Sequence, residues 1–324
     1  MRVKKNITVI TDQAIVKQKV TEFGRLVTRD QLNDLTQHQY SANSLLAFTK
    51  DWNIFLEFCI SRSVRPIPAS ATAVRQFLEF EARSRKYSTI KRYAVTISLI
   101  HSLLNQKDPT ATSQVKTTLT SLRLEKHGDD TQAASFDQHH LDELFELLND
   151  NPATRVIRDL AIYHVMFECA LKRSELKKLS FEQLVCLSED SEDYAIQFGE
   201  TTYALSSQAK VTLSRWVALL PQQQGVIFRA IDRHGNISAG ALDDSSIFRI
   251  LRNAGEYLQQ PELKFSGHSA RIGAARQLAK QGYKARDIQE FGRWLSAAMP
   301  YQYIGSKNTA EQEKLKFVSF KPLD

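Results

Sequence analysis

The stretch Ser266-Gly267-His268-Ser269-Ala270-Arg271 sets an imidazole and a guanidinium three residues apart, where a glycine-containing turn enters a helix. The start of that helix adds backbone N–H donors and the positive end of its dipole. Such a site suits a phosphate: the planar guanidinium can clamp two oxygens, and the imidazole can donate or accept a proton beside them. Trp294 and Tyr303 follow downstream, and Lys172-Arg173-Ser174-Glu175 lies upstream. Taken singly, His268 with Arg271 is a common surface pair, Trp294 reads as core, and Tyr303 reads as a buried or interfacial ring with a satisfied hydroxyl. Their order and spacing make them a set.

Helices must position these groups. Leu45, Phe48, Trp52, Phe55 and Cys59 form one apolar stripe of a helix beginning near Ser44, closed by Pro66 and Pro68. Ser70 can cap a second helix through Val74, Phe77 and Leu78. Ile90, Tyr93, Ile97, Ile100 and Leu104 mark a third, with Lys91 and Arg92 on its opposite face, and a shorter one runs through Val115, Leu119 and Leu122. The polar stretch from Glu125 to Ser135 has no periodicity and contains a glycine, so it is read as the linker. The expected division is an extension over 1–40, a helical domain over 41–125, a linker over 126–135 and a second domain over 136–324.

In that second domain, Asp137 caps a helix through Leu141, Leu144 and Leu148, and a longer helix covers Arg155 to Ala170. Tyr194 to Phe198 alternates as a strand, Gly199-Glu200 turns it, and Thr202 to Leu205 returns as its partner. Helices follow over Val211–Leu220, Ile247–Leu258, Ala270–Gln281 and Ala285–Phe291, and Asn308 with Glu311 suggests a capped last helix through Leu315, Phe317, Val318 and Phe320.

The 324 residues are 42% hydrophobic, enough for two domains to bury their own cores, which excludes disorder as the main state. No apolar run approaches the ~18 residues that span a bilayer, and the N-terminus lacks a secretory signal. Cys59, Cys169 and Cys186 lie too far apart in sequence for a C-x-x-C site. The expected compartment is therefore intracellular and reducing. Lys and Arg outnumber Asp and Glu by 43 to 36, which favours an anionic partner. Basic residues gather at Arg83–Lys86, Lys91-Arg92, Lys172-Arg173 and Lys177-Lys178, and acids gather at Glu189–Asp193.

His268, Arg271, Trp294 and Tyr303, in this order, resemble the tyrosine recombinase (phage integrase) family, in its Cre-like branch. Tyr87 to His101 resembles the DNA-contacting helix of that family's core-binding domain, and Arg158 to Leu176 resembles the helix and turn that carry its first catalytic Arg. The resemblance implies a mainly α, two-domain architecture: an N-terminal helical core-binding (SAM-like) domain and a C-terminal helical catalytic-fold domain with a small β-hairpin. It implies a Tyr303 attack on a backbone phosphate, giving a 3′-phosphotyrosine and a free 5′-hydroxyl. Two arginines with a His or Trp neutralise the charge on the phosphoryl oxygens, and a hairpin Lys protonates the leaving oxygen. Metal and nucleotide cofactors are not expected. The implied partner is double-stranded DNA, enclosed by two domains, in a cytoplasmic, nucleoid-associated setting of bacterial or phage origin. Arg85, Lys86, Lys91 and Arg92 would contribute from one side, and Arg173, Arg293, Lys172 and Arg271 from the other. The C-terminal tail either packs on its own domain or docks on a neighbouring protomer, and transposition or recombination proteins are further candidate partners.

Two positions depart from the family pattern. Registered on Glu175, the first catalytic Arg is Lys172, which keeps the charge and loses the bidentate fork. Losing contacts of this kind costs ~2.7–4 kcal/mol of transition-state stabilisation. Arg173 could substitute only by a one-residue shift, about 100° around a helix. The hairpin carries Glu200 where a cation is expected, and Lys210 falls in the following helix. Two readings remain: a DNA-binding protein whose cleavage is impaired or lost, and an active site-specific recombinase working through a Holliday junction. A helical adaptor without DNA binding fits the basic clusters and the intact His268–Arg271 pair less well.

Overall fold

The computed structural model describes residues 7–128, 133–186 and 194–316. The described residues fall into two compact units, divided between 128 and 133. The expected acidic run over 188–193, the middle of the linker, and Phe317, Val318 and Phe320 lie outside the described residues.

The described residues of the first unit form α1 (Gln13–Phe23), α2 (Arg29–Leu35), α3 (Ala42–Ser61), α4 (Ala71–Ala82), α5 (Tyr87–Leu103) and α6 (Ser113–Glu125). Side-chain caps start several of them: Asp12 accepts from Ala14 and Ile15, Thr28 and Gln31 form a reciprocal box, and Ser41 and Ser70 cap α3 and α4. Trp52, Phe55, Phe77, Ile97 and Ile100 are almost wholly buried at the centre. From Ile7 onward, the stretch set apart in the sequence as an extension joins this core. Phe23, Val27, Leu32 and Leu35 belong to it, the Trp52 indole donates to the Phe23 carbonyl at 3.1 Å, and the Ile10 N–H donates to Leu103. Helices α1 and α2 are short and carry few apolar positions, so periodicity does not reveal them.

The second unit is built around α8 (Thr154–Glu168), buried on nearly every face from Val156 to Phe167. Around it lie α7 (Gln138–Leu148), α9 (Arg173–Lys178), α10 (Ser207–Ala218), α11 (Asp244–Tyr257), α12 (Ser269–Lys280), α13 (Ala285–Phe291), α14 (Ala298–Tyr303) and α15 (Lys307–Lys316). The hairpin forms as expected: β2 (Tyr194–Phe198) pairs antiparallel with β3 (Thr201–Ala204), Ile196 facing Tyr203. A third strand, β1 (Leu184–Cys186), extends it, and β4 (Arg229–Ile231) pairs with β5 (Ile237–Ala241) in a separate sheet. Neither addition was expected: β1 and β4 have three residues each, too short to show alternation, and β5 reads Ile-Ser-Ala-Gly-Ala, with too few large apolar residues to show it. The last helix begins at Lys307, and the Ser306 carbonyl accepts from Ala310. Asn308 therefore sits inside the helix and does not cap it.

Two helix ends shape the site. After α8, Ala170 takes φ +45°, and Leu171 N–H returns to Met166 at 3.0 Å. After α13, Arg293 takes φ +55°, and Trp294 N–H returns to Gln289 at 3.0 Å. This left-handed closing position usually takes glycine. Here it carries an alanine and an arginine.

Candidate phosphate-binding site

Arg271, in the first turn of α12, is only 2% exposed. Its guanidinium donates to the Ala170 carbonyl and, at 2.7 Å, to the Gly292 carbonyl. It lies 4.4 Å from the centre of the Trp294 ring. Burial is the main reason its pKa falls to about 10, and the Glu175 carboxylate works against that fall. The other neighbour of Trp294 is Tyr303, with ring centres 5.7 Å apart in an edge-to-face contact. Burial raises the Tyr303 phenol, while the Arg271 charge and the Trp294 side chain oppose that rise. Trp294 folds back over Gly292, where an added Cβ would come within 1.9 Å of the ring and force it to move. His268, the N-cap residue of α12, is partly exposed; partial burial of its ring, and then the charges of Arg271 and Arg173, lower its pKa. Arg271 on α12, Trp294 in the turn after α13 and Tyr303 at the end of α14 thus pack together, and His268, 35 residues before Tyr303, caps the start of α12 within reach of the Arg271 charge.

Lys172 is differently employed. It precedes α9 as its N-cap, and its Nζ pairs with Glu175 Oε1 at 3.0 Å while its N–H donates to Glu175 Oε2 at 2.8 Å. Glu175 also receives Arg293, whose Nη2 lies 3.0 Å from Oε2. Burial pushes the Glu175 carboxyl up, but hydrogen bonds from Arg293 and Lys172, with the Arg293 charge, outweigh it and hold the pKa below its ordinary value. Arg293 further donates to the Tyr203 hydroxyl and to the carbonyls of Phe291 (3.2 Å) and Cys169 (3.0 Å). Its guanidinium lies 4.9 Å from the centre of Phe198 and 5.0 Å from that of Tyr203. The sequence offered Arg293 as a phosphate contact, but its donors are occupied within the protein. A neighbouring carboxylate and αL backbone, invisible to composition, decide that.

Residues 134–309, more than half of the chain, match the Phage integrase family. The chain belongs to the phage integrase family. Among its relatives, the "Integrase/recombinase xerD homolog" of Selenomonas ruminantium is 24% identical over 288 residues, 84% of each chain. The "Recombinase cre" of Escherichia phage P1 is 22% identical over 294 residues, 82% of this chain and 84% of that one. In fold, the chain is similar to XerH site-specific recombinase in a post-cleavage complex with palindromic difH substrate, with TM-score 0.62, 13% identity and coverage of 97% and 92%. It is also similar to the Tn1549 transposon integrase in complex with circular intermediate DNA, with TM-score 0.58, 14% identity and coverage of 91% and 99%. Family membership places this integrase-family chain in DNA recombination. No helix among the described residues is long and apolar enough to cross a membrane.

The hairpin of this family member carries no Lys or Arg between Tyr194 and Ser206. Gly199, at φ +59°, and the exposed Glu200 form its tip, and Thr201 and Thr202 are exposed beside them. Lys210 lies on α10, as the sequence indicates. A carboxylate at the tip would repel a nearby phosphate.

Of the cations expected on the first unit, Arg92 forms a two-pronged ion pair with Asp51, at 2.7 and 2.8 Å, and Thr96 donates to the same carboxylate. Asp51 is 2% exposed, so α5 uses Arg92 to neutralise a buried charge on α3. Arg85 pairs with Glu81 at 3.5 Å. Lys86 and Lys91 are exposed. Arg173 is half-buried.

Asp137, His139 and His140 come close enough to suggest a metal site. However, His140 Nδ1 accepts the Asp137 N–H at 3.0 Å, and burial lowers the pKa of the ring. The neutral ring then carries its proton on Nε2, which leaves it no free lone pair for an ion. His140 serves as the reciprocal cap of α7.

Proposed function

We propose that this chain is a sequence-specific double-stranded-DNA-binding protein that selects sites for recombination, integration or transposition, and that its strand cleavage is impaired or lost. The observation that carries this reading is the hairpin, which offers a carboxylate at its tip and no cation. The packed set of Arg271, Trp294 and Tyr303 can meet a phosphodiester, and His268 stands beside it. What the hairpin lacks is a group to protonate the departing 5′-oxygen, a role typically worth about 10²–10⁴ in rate. Lys172, in register with the family's first catalytic Arg, is held by Glu175. The relatives named as recombinases, and the neighbours solved as DNA complexes, support duplex DNA as the partner. Their bacterial and phage sources support a cytoplasmic, nucleoid-associated setting. Assembly on DNA through the C-terminal tail belongs to the same proposal.

The test is selection of bound duplexes from a random pool, followed by incubation with nicked duplexes of the enriched site. The expected result is one enriched sequence and no covalent adduct on a denaturing gel. An adduct formed at ordinary recombinase rates, and abolished by Tyr303→Phe, would establish the alternative of an active recombinase.

A further inference from the structure

Registering the α9 turn on Glu175 puts Lys172 at the position of the clamp, and a one-residue shift within a helix would turn a side chain about 100° away. That geometry does not hold at this turn. Lys172 is the N-cap residue, with extended dihedrals of φ −78° and ψ 153°, so the step from Lys172 to Arg173 is not helical. The two side chains diverge. Lys172 turns to Glu175, whereas the stem of Arg173 lies along Gly267, where an added Cβ would come within 2.6 Å of its Cγ and Cδ and 2.8 Å of its Nε. The next residue is His268, and the charges of Arg173 and Arg271 both act on its imidazole.

Lys172 is occupied by Glu175, and Arg293 by Glu175, Tyr203 and Cys169, whereas Arg271 gives one N–H to Ala170 and one to Gly292 and keeps its other N–H groups. Arg173 has no hydrogen-bond or ion-pair partner among the described residues, although it is only half-exposed. A guanidinium packed against a glycine turn, beside an imidazole and a second guanidinium and with its N–H groups unused, is a site for an anion.

We propose that Arg173, and not Lys172, supplies the second guanidinium to the DNA phosphate received at His268 and Arg271. The inference rests on the reading that this chain binds duplex DNA. On it, Gly267 is a positioning residue: its missing side chain leaves the channel in which Arg173 lies. Lys172 keeps a separate task, closing the first turn of α9 through Glu175.

Two measurements separate this inference from the DNA-binding reading. The first uses no DNA: the His268 imidazole is titrated by NMR in the full chain. Arg173→Gln is expected to raise the His268 pKa, whereas Lys172→Gln leaves it in place. An unchanged His268 in Arg173→Gln overturns the inference while leaving DNA binding intact. The second follows the affinity for a labelled mixed-sequence duplex, by anisotropy, between about 50 and 200 mM salt. Arg173→Gln is expected to flatten the slope of log affinity against log salt by about 0.9, the loss of one phosphate contact. Gly267→Ala, which keeps the charge but displaces its stem, should weaken binding in the same direction, and Lys172→Gln should leave the slope unchanged. A slope lost in Lys172→Gln and kept in Arg173→Gln overturns the assignment. Wild type without salt-dependent duplex binding would instead sink the DNA-binding reading.

Discussion

The guanidinium of Arg271 lies 4.4 Å from the centre of the Trp294 ring, and the opposing demands of burial and charge meet at that contact. An arginine only 2% exposed needs an environment that tolerates its charge, and an aromatic face with two carbonyls supplies one. Trp294→Ala removes the face and leaves a partial cavity beside Tyr303. The expected loss is about 2–3 kcal/mol, below the ~3–5 of a fully buried ring, with a smaller loss for Trp294→Phe. Urea unfolding reads it. An unchanged midpoint for Trp294→Ala would show that the ring does not support Arg271.

Glu175 joins Lys172 to Arg293, which makes the site sensitive to acid. Its carboxyl has a lowered pKa, so the native state holds the ionised form more strongly than the unfolded chain does. That contribution is complete above the ordinary value of 4.5 and disappears as pH falls through the lowered native value. Glu175→Gln should remove this part of the acid sensitivity and lower stability at neutral pH by about 1–3 kcal/mol, less than a fully buried pair because both side chains are partly exposed. Thermal melts of both proteins from neutral pH down to about pH 3 check it, a range that covers the window in which a carboxylate of this kind titrates. Parallel curves would contradict the assignment.

Lys91 and Arg92 are neighbours in sequence with different tasks. Arg92→Ala leaves the Asp51 carboxylate buried without its partner and should cost about 3 kcal/mol of stability. Lys91→Ala should leave the melting temperature unchanged and, if α5 meets the DNA backbone, reduce the salt slope by about 0.9. Melting curves and anisotropy titrations on the two variants separate the roles. Equal thermal losses would contradict the division.

Much of the fold was legible because its helices obey strong local rules. The stripe from Leu45 to Cys59, the caps at Ser70 and Asp137, and the Gly199-Glu200 turn each identify an element from a few residues. The convergence of Arg271, Trp294 and Tyr303, with His268 at the cap of α12, was legible only through resemblance, since no periodicity links two separate helices and the turn between them. Pairing was hidden. Nothing local in the sequence shows that Arg92 reaches Asp51, 41 residues away, or that Arg293 reaches Glu175, 118 residues away. The direction of Arg173 was hidden too, because it depends on Lys172 being extended at the helix start.

If the hairpin limits the reaction, a cation there should help. Glu200→Lys replaces a repelling carboxylate with a proton donor at the tip. On nicked duplexes of the selected site, adduct formation should rise by about 10²-fold, the lower end of what a positioned acid contributes. No rise in a variant that folds and binds normally would show that Glu200 is not the limiting position.

The most direct measurement replaces the bridging 5′-oxygen of the target phosphate by sulfur. A thiol has a pKa of about 8.5, so the sulfur can leave as a thiolate without being given a proton. Tyr303 then forms its bond to phosphorus as the phosphorus–sulfur bond breaks, and the phenol proton passes to solvent. A site that binds the phosphate but lacks the acid should form a Tyr303-dependent adduct on the sulfur duplex and little on the oxygen duplex. Equal adduct formation on both, or none on the sulfur duplex despite tight binding, would contradict the account.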